Sequence, residues 1–207
     1  MRTGANIRKR KDGRYEARYP KGRDAQGKLI YGYCYGRTFE EVQAKRDRML
    51  ALHPREMNLL ILGAGGHGEA IRELAQMLGV FRKIAFLDDK VKTPLVIGPC
   101  DDCGRYVEQY PIAIPSMGDQ EVRMHWIEML AKYGFVLPVL IHPTATVSPS
   151  AEIGYGTVIE ARATVSSGVR IGNGCIIASG ATIDRNVEIS DGTLVGCGQV
   201  LTAADFD

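Results

Sequence analysis

The chain has 207 residues, of which 45% are hydrophobic and 24% charged, with 24 glycines and a formal net charge of +2 at pH 7. This composition is typical of a globular protein with enough chain for two or three small domains. No apolar run approaches the roughly 18 residues of a membrane span, and the basic N-terminal segment lacks the apolar core of a signal peptide. The sequence therefore predicts a cytoplasmic protein with no membrane partner.

The five cysteines follow no disulfide spacing and are expected to be reduced thiols. Cys100 and Cys103 have the separation of a metal-binding pair, but one pair supplies only half of a site. We therefore expect two loop thiols and no bound metal.

Charge is distributed unevenly along the chain. Residues 1–55 hold 15 Lys and Arg against 6 Asp and Glu, whereas residues 56–207 hold 11 against 18. Opposite charge balances predict separate units with different partners. We predict three domains, which comprise residues 1–55, 57–140 and 141–207.

The basic segment predicts a three-stranded sheet followed by one helix. "IRKRKDGRYEARY" has the pattern of two strands joined by a Lys-Asp-Gly turn, and "LIYGYCYG" supplies a third alternating strand. "RTFEEVQAK" opens a helix with Thr38 as the N-cap and Glu41 three residues later, which is a capping box.

These three stretches resemble the arm-type DNA-binding domain of phage and transposon tyrosine integrases. The resemblance implies that the sheet binds duplex DNA in the major groove. The residues expected to do so are Arg8, Arg10, Arg14, Arg18 and Lys28. The alternative is a basic, solvated sheet without a DNA partner. No recombinase core follows, so integration chemistry is excluded.

A glycine-rich loop follows the next predicted strand. "MNLLILGAGGHG" leads into an amphipathic helix and a second strand, "KIAFL", which is the pattern of a Rossmann-like βαβ unit. The candidate nucleotide-binding residues are Gly63, Gly65, Gly66, His67 and Gly68 in the loop, with Asp88 and Asp89 after the second strand. The free N–H groups of the helix would bind a phosphate, and an acid twenty residues past Gly68 reaches a ribose. The alternatives are a purely structural tight turn and, for His67, a helix cap.

The remainder of this unit predicts a small parallel sheet. "YPIAIP" is a further strand, a helix runs through Val122, Trp126 and Leu130, and a last strand spans Phe135 to Leu140.

Branched apolar residues then recur at every sixth position. The eleven positions are Ile141, Val147, Ile153, Ile159, Val165, Ile171, Ile177, Ile183, Ile189, Val195 and Leu201. A period of six fits neither a helix nor a flat strand and indicates a hexapeptide β-helix. With three faces to a turn, residues eighteen apart stack, so Val147, Val165, Ile183 and Leu201 are expected in one interior ladder.

The order of "LGAGGHG", "LIHPTATVSPSAEIG" and hexapeptides resembles the sialic acid O-acetyltransferase and bacillosamine N-acetyltransferase family. The resemblance implies a left-handed β-helix and a homotrimer that binds acetyl-CoA between neighbouring helices. It also implies a nucleotide-activated amino sugar or sialic acid as acceptor, with the nucleotide in the Gly63–Gly68 loop near Asp88 and Asp89.

The sequence departs from this family where catalysis is expected. Family members carry a stretch like N-T-G-A-V-V-E/D-H-D/E-C, and the corresponding residues here are "ASGATIDRNV". Ala178 replaces the Asn, Arg185 the histidine base and Asn186 the following acid. Arginine stays protonated at neutral pH and cannot accept the proton that acyl transfer releases.

We therefore assign no catalytic residue and expect impaired catalysis. The coil also ends after about three turns, fewer than in the family, and Met57 lies where the family's first methionine is expected, as in a gene fusion. The alternative function is DNA binding by the front segment, with the β-helix as an oligomerisation scaffold.

Overall fold

The computed structural model describes residues 7–23, 29–52 and 57–205. The chain forms two compact units, Met1–Glu56 and Met57–Asp207. Among the described residues, no helix combines the length and apolar character needed to cross a membrane.

The first unit is an antiparallel sheet covered by one helix. Its elements are β1 (Ile7–Lys9), β2 (Tyr15–Arg23), β3 (Leu29–Gly36) and α1 (Phe39–Leu52), with β2 between the other two strands. The helix covers one face, where Ala17, Tyr19 and Cys34 pack with Val42. Thr38 caps α1, because its Oγ1 accepts the backbone N–H of Glu41 at 3.1 Å, as predicted. The Glu41 carboxylate accepts the backbone N–H of Arg37 at 2.8 Å.

The second unit begins with a four-stranded parallel sheet in the order β6-β5-β4-β7. Its elements are β4 (Asn58–Leu62), α2 (Gly66–Leu78), β5 (Lys83–Leu87), β6 (Val96–Gly98), a 3-10 helix (Cys100–Arg105), β7 (Ile112–Pro115) and α3 (Gln120–Tyr133). Strand β4 is buried along its whole length, as its continuous apolar run predicts. The Rossmann-like sheet is thereby confirmed.

Two local predictions in this unit are wrong. Phe135 to Leu140 is not a strand: only Val136 bridges the sheet, opposite Ile112, because Pro138 has no N–H to continue the ladder. Cys100 and Cys103 are not loop thiols but lie buried in the 3-10 helix. Burial raises the pKa of Cys100 to about 12, so this thiol is unreactive at neutral pH. Within the described ranges, no three His, Cys, Asp or Glu side chains are grouped as metal ligands.

The rest of the unit is a left-handed β-helix of two-residue strands in three parallel sheets. The strands are β8 (Leu140–Ile141), β9 (Thr146–Val147), β10 (Glu152–Ile153), β11 (Val158–Ile159), β12 (Thr164–Val165), β13 (Arg170–Ile171), β14 (Ile176–Ile177), β15 (Thr182–Ile183), β16 (Glu188–Ile189), β17 (Leu194–Val195) and β18 (Val200–Leu201), followed by a short 3-10 helix (Ala203–Asp205). Each predicted inward residue is the second residue of a strand and belongs to one apolar core. Val147, Val165, Ile183 and Leu201 pair in register, which confirms the predicted ladder.

The three outer faces of the coil differ. On one face, Leu140 and Val158 are buried in the apolar core of the α/β sheet, so sheet and coil share an interface. The second face presents the threonines of β9, β12 and β15. The third presents an ion-paired ladder in which Arg170 contacts Glu188 at 2.8 Å and Glu152 at 3.7 Å. Within the second unit, the first face therefore supplies the coil residues that pack in the apolar core of the α/β sheet.

Candidate functional site

Two loop glycines are required by the turn itself. Gly63 follows β4 with φ +97°, a conformation that other residues rarely adopt. Ser116, at the end of β7, donates its hydroxyl to the carbonyls of Leu62 and Gly63 at 2.8 Å. A Cβ on Gly68 would lie 2.1 Å from the Gly63 carbonyl oxygen. Gly63 and Gly68 therefore allow the strand, the loop and α2 to approach closely.

Among the described residues, nothing assigns such a role to Gly65 and Gly66. A Cβ added to either would meet no atom within 4 Å, and neither has a positive φ. Gly65 is the N-cap of α2 and provides no side-chain cap to the first N–H groups of the helix. The loop thus leaves an open space at the positive end of a helix dipole, which is the arrangement that binds phosphate.

The two acids lie beside this loop, at the carboxyl end of β5. Asp88 Oδ2 accepts the backbone N–H of Ala64 at 2.7 Å, and its Oδ1 accepts those of Lys90 and Val91. Asp89 accepts the N–H of Cys100 at 3.1 Å. Partial burial acts to raise the pKa of Asp88, but its three backbone donors outweigh this and lower it. The structure thus brings the predicted acids and glycines together, and Asp88 holds the loop to the sheet.

His67 does not cap the helix. Its Nδ1 lies 3.5 Å from Glu160 Oε1 on the coil. Burial lowers the pKa of His67; the charge of Glu160 raises it in part and that of Arg123 lowers it again. The ring is therefore neutral at pH 7. Sequence reasoning missed Glu160, since no motif or spacing marks an acid that follows an inward isoleucine.

The residues expected at the family's catalytic positions offer no base. Arg185 follows β15 with a side chain that is 74% exposed, and its Nε lies 3.8 Å from Asp184 Oδ1. Ala178 is buried and has no polar side-chain atom. Asn186 has a left-handed backbone, φ 60°, at a corner of the coil. The structure thus shows an exposed guanidinium where the family resemblance implies a histidine.

The predicted DNA-binding arginines of the first unit are engaged in different ways. Arg8 and Arg10 both bind Glu16, a buried carboxylate that sequence reasoning did not include, at 2.7 and 2.6 Å. Arg14 binds Asp12, and Arg18 stacks over Tyr31 at 4.3 Å from the ring centroid. Lys28 lies outside the described residues. Two of the predicted arginines therefore share one negative partner.

Two regions of the second unit match known protein families. Residues 58–130 match the family described as the PglD N-terminal domain. Residues 150–185 match the family described as bacterial transferase hexapeptide (six repeats). The two matches cover the α/β sheet with its glycine loop and the central turns of the coil.

The chain is 40% identical over 113 residues to a UDP-N-acetylbacillosamine N-acetyltransferase of Bacillus subtilis (strain 168), covering 50% of this chain and 51% of the relative. The chain thus spans about half the length of this curated relative.

Solved structures extend the comparison. The acetyltransferase domain of PglB from Neisseria gonorrhoeae FA1090, in complex with acetyl coenzyme A, is 36% identical with a TM-score of 0.66 and covers 71% of this chain and 74% of that chain. PerB from Caulobacter crescentus, in complex with CoA and GDP-perosamine, is 23% identical with a TM-score of 0.59 and covers 70% of this chain and 88% of that chain. The second likeness concerns the fold alone.

The contacts of Asp88 predict a pH-dependent contribution to stability. We expect Asp88→Asn to lower the free energy of unfolding by about 1–3 kcal/mol at pH 7. The reason is that the three backbone N–H donors lose one acceptor oxygen and the negative charge of the carboxylate. Since the folded pKa is lowered, this contribution is present above the unfolded pKa of about 3.9 and is lost as pH falls through the folded value.

Urea unfolding of both proteins across this pH range measures the difference. Asp101→Asn, an exposed acid on the 3-10 helix, is the control and should change stability little. A wild-type advantage that stays constant from neutral to acidic pH would contradict the assignment.

Proposed function

The chain belongs to the acetyltransferase family that joins a PglD N-terminal domain to hexapeptide repeats, and from this premise we propose that it binds acetyl-CoA and a nucleotide-activated amino sugar or sialic acid. The nucleotide is held by the Gly63–Gly68 loop. The observation that carries this proposal is the open space at Gly65 and Gly66, since a Cβ at either position would meet no atom of the described residues within 4 Å. Free N–H groups at the start of α2 bind the phosphates.

Acetyl-CoA enters the proposal through the family, which uses it. The threonine face and the ion-paired face of the coil fit a site between neighbouring β-helices, because each copy must present a face to the next. One of these faces contains an open groove of about 460 Å³ that crosses three turns, along Glu152, Arg170 and Glu188. A homotrimer that binds the coenzyme between its coils is part of the same proposal.

Transfer by this chain is expected to be slow. In the reaction, an acceptor amine or hydroxyl attacks the thioester carbonyl, CoA leaves as the thiol or thiolate, and the acceptor loses a proton. Arg185 remains protonated and cannot take that proton. A missing general base costs a factor of about 10²–10⁴ in rate. The proposal is therefore a binding-competent acetyltransferase with impaired turnover.

Nucleotide binding by the loop is tested with Gly66→Leu. A Cβ at this position meets no atom of the described residues within 4 Å, so we expect thermal stability to be kept or slightly raised, because glycine disfavours a helix by about 0.5–1 kcal/mol relative to alanine. The same side chain occupies the phosphate space, so we expect UDP and GDP to bind at least about tenfold more weakly in calorimetry.

The control is Gly68→Ala, whose Cβ would clash with the Gly63 carbonyl, and which should instead lower thermal stability. Failure of the wild-type protein to bind either nucleotide, or unchanged binding by Gly66→Leu, would refute this part of the proposal.

The missing base is tested by restoring it. We expect Arg185→His to raise the rate of acetyl transfer to UDP-linked amino sugars, measured as CoA release. The increase should reach at most the roughly 10²–10⁴-fold that a general base contributes to the rate. Arg185→Gln removes the charge without adding a base and should leave the rate at the wild-type level. Robust wild-type turnover that disappears in Arg185→Gln would show that Arg185 itself supports transfer.

DNA binding by the first unit is the second candidate function. The observation that favours it is the sheet face opposite α1, where Arg18 stacks on Tyr31 and Arg10 lies over Tyr35 at 5.5 Å. Exposed cations interleaved with aromatic rings bind phosphates and bases. The shared Glu16 reduces the positive charge that Arg8 and Arg10 can offer.

Fluorescence anisotropy of a labelled DNA duplex with the full chain tests this candidate. We expect affinity to fall steeply with salt, and the combined variant Arg14→Gln, Arg18→Gln to lower the slope of log affinity against log salt by about two. Arg105→Gln, Arg170→Gln in the second unit is the matched control. Binding that is absent, or unaffected by the first pair, would eliminate the candidate.

A further inference from the structure

A small cleft lies between α2 and the coil, next to the glycine loop. Its volume is about 170 Å³. The lining residues are Ala70, Ile71, Glu73, Leu74 and Met77 from α2, and His142, Val158, Glu160, Ala161 and Ser179 from the coil. The walls are mainly apolar, with a few polar groups, which is the usual composition of a small-molecule site.

Glu160 is the fixed polar group of this cleft. Its Oε2 accepts two hydrogen bonds from Ser179, one from the backbone N–H at 3.0 Å and one from the hydroxyl at 2.9 Å. Oε1 is the oxygen near His67 and accepts no hydrogen bond from Ser179. Ser179 therefore orients the carboxylate while leaving one oxygen able to accept from a ligand.

Among the described residues, no lysine or arginine forms an ion pair with the carboxylates of the cleft. His67 is neutral at pH 7 for the reasons given above, so its contact with Glu160 is not a full ion pair. Glu73 forms no hydrogen bond or ion pair with any residue in the described ranges. The lining residues, all within the described part of the chain, include no lysine or arginine. Glu73 is exposed, whereas the partly buried carboxylate of Glu160 on an apolar wall is stabilised by a cationic partner.

The remaining polar groups are also suited to a polar ligand. His142 Nδ1 accepts the backbone N–H of Thr144 at 3.1 Å, which leaves Nε2 as the ring nitrogen that can donate. The Nε2 of His67 is buried and has no hydrogen-bond partner among the described residues. A ligand with both a cationic and a hydroxyl group can satisfy such a set.

We propose that this cleft binds a primary ammonium group carried by a small, partly apolar molecule, with Glu160 as its anchoring carboxylate. The ammonium group has two possible sources. The first is the free amino group of a nucleotide-linked sugar, and for this source the inference rests on the proposed function. His67 supports that source, because it belongs to the phosphate-binding loop and its ring contacts Glu160. The other source is a free alkyl amine.

Calorimetry with four probes separates the sources: UDP, UDP-glucosamine, UDP-N-acetylglucosamine and 1,4-diaminobutane, with the amines protonated. If the ligand is a nucleotide sugar, the wild-type protein binds UDP-glucosamine about tenfold more tightly than UDP-N-acetylglucosamine, because the acetylated form has lost its charge. Glu160→Gln reduces this preference to within about twofold and leaves UDP binding unchanged. Glu121→Gln, on the exposed first turn of α3, is the control and should preserve the preference.

The other outcomes are equally decisive. Binding of 1,4-diaminobutane that Glu160→Gln abolishes, without any preference between the two UDP-sugars, supports the cleft with a free amine as its ligand. If UDP does not bind, the nucleotide proposal fails, and the diaminobutane arm still decides the cleft. The inference is overturned if the protein shows neither a preference for UDP-glucosamine nor binding of 1,4-diaminobutane. It is also overturned if Glu160→Gln leaves the binding of the amines unchanged, whether UDP binds or not.

Discussion

The buried guanidinium of Arg123 joins the two halves of the second unit. Arg123 is 1% exposed and donates to the carbonyls of Met117 and Gly118 before α3, at 2.7 and 2.8 Å. From the same side chain, Nε donates to the carbonyl of Gly174 at 2.8 Å and Nη2 to that of Gly192, at two corners of the coil. Burial lowers the pKa of Arg123, and backbone dipoles from both halves stabilise its charge.

This link determines where the candidate site is formed. The glycine loop and α2 belong to the α/β sheet, whereas Glu160 and Ser179 belong to the coil, so the contact between His67 and Glu160 requires a fixed relation between the halves. Apolar packing of Leu140 and Val158 against the sheet holds the same interface. Arg123 fixes the orientation of the α/β sheet relative to the coil. Apolar contacts alone allow the two surfaces to slide over each other, whereas hydrogen bonds from one side chain to five carbonyl groups do not.

Sequence reasoning succeeded where one geometric rule governs many residues. The period of six placed every inward residue of the coil, and the glycine spacing located the loop, because both patterns follow from backbone geometry. It failed where a contact joins distant segments. Nothing in the local sequence marks Arg123, Glu160 or Glu16, whose partners lie on other elements. The wrong strand near Phe135 had an apolar pattern, but Pro138 removed the donor it needed.

The central claim is that Arg123 fastens the α/β sheet to the coil. Urea unfolding followed by the fluorescence of Trp126, the single tryptophan and a neighbour of Arg123 on α3, tests it directly. We expect Arg123→Met to lower the free energy of unfolding by at least about 2–3 kcal/mol, because buried carbonyls lose their donor, while Arg185→Met leaves it nearly unchanged. An Arg123→Met protein that unfolds at the wild-type urea concentration would contradict the account.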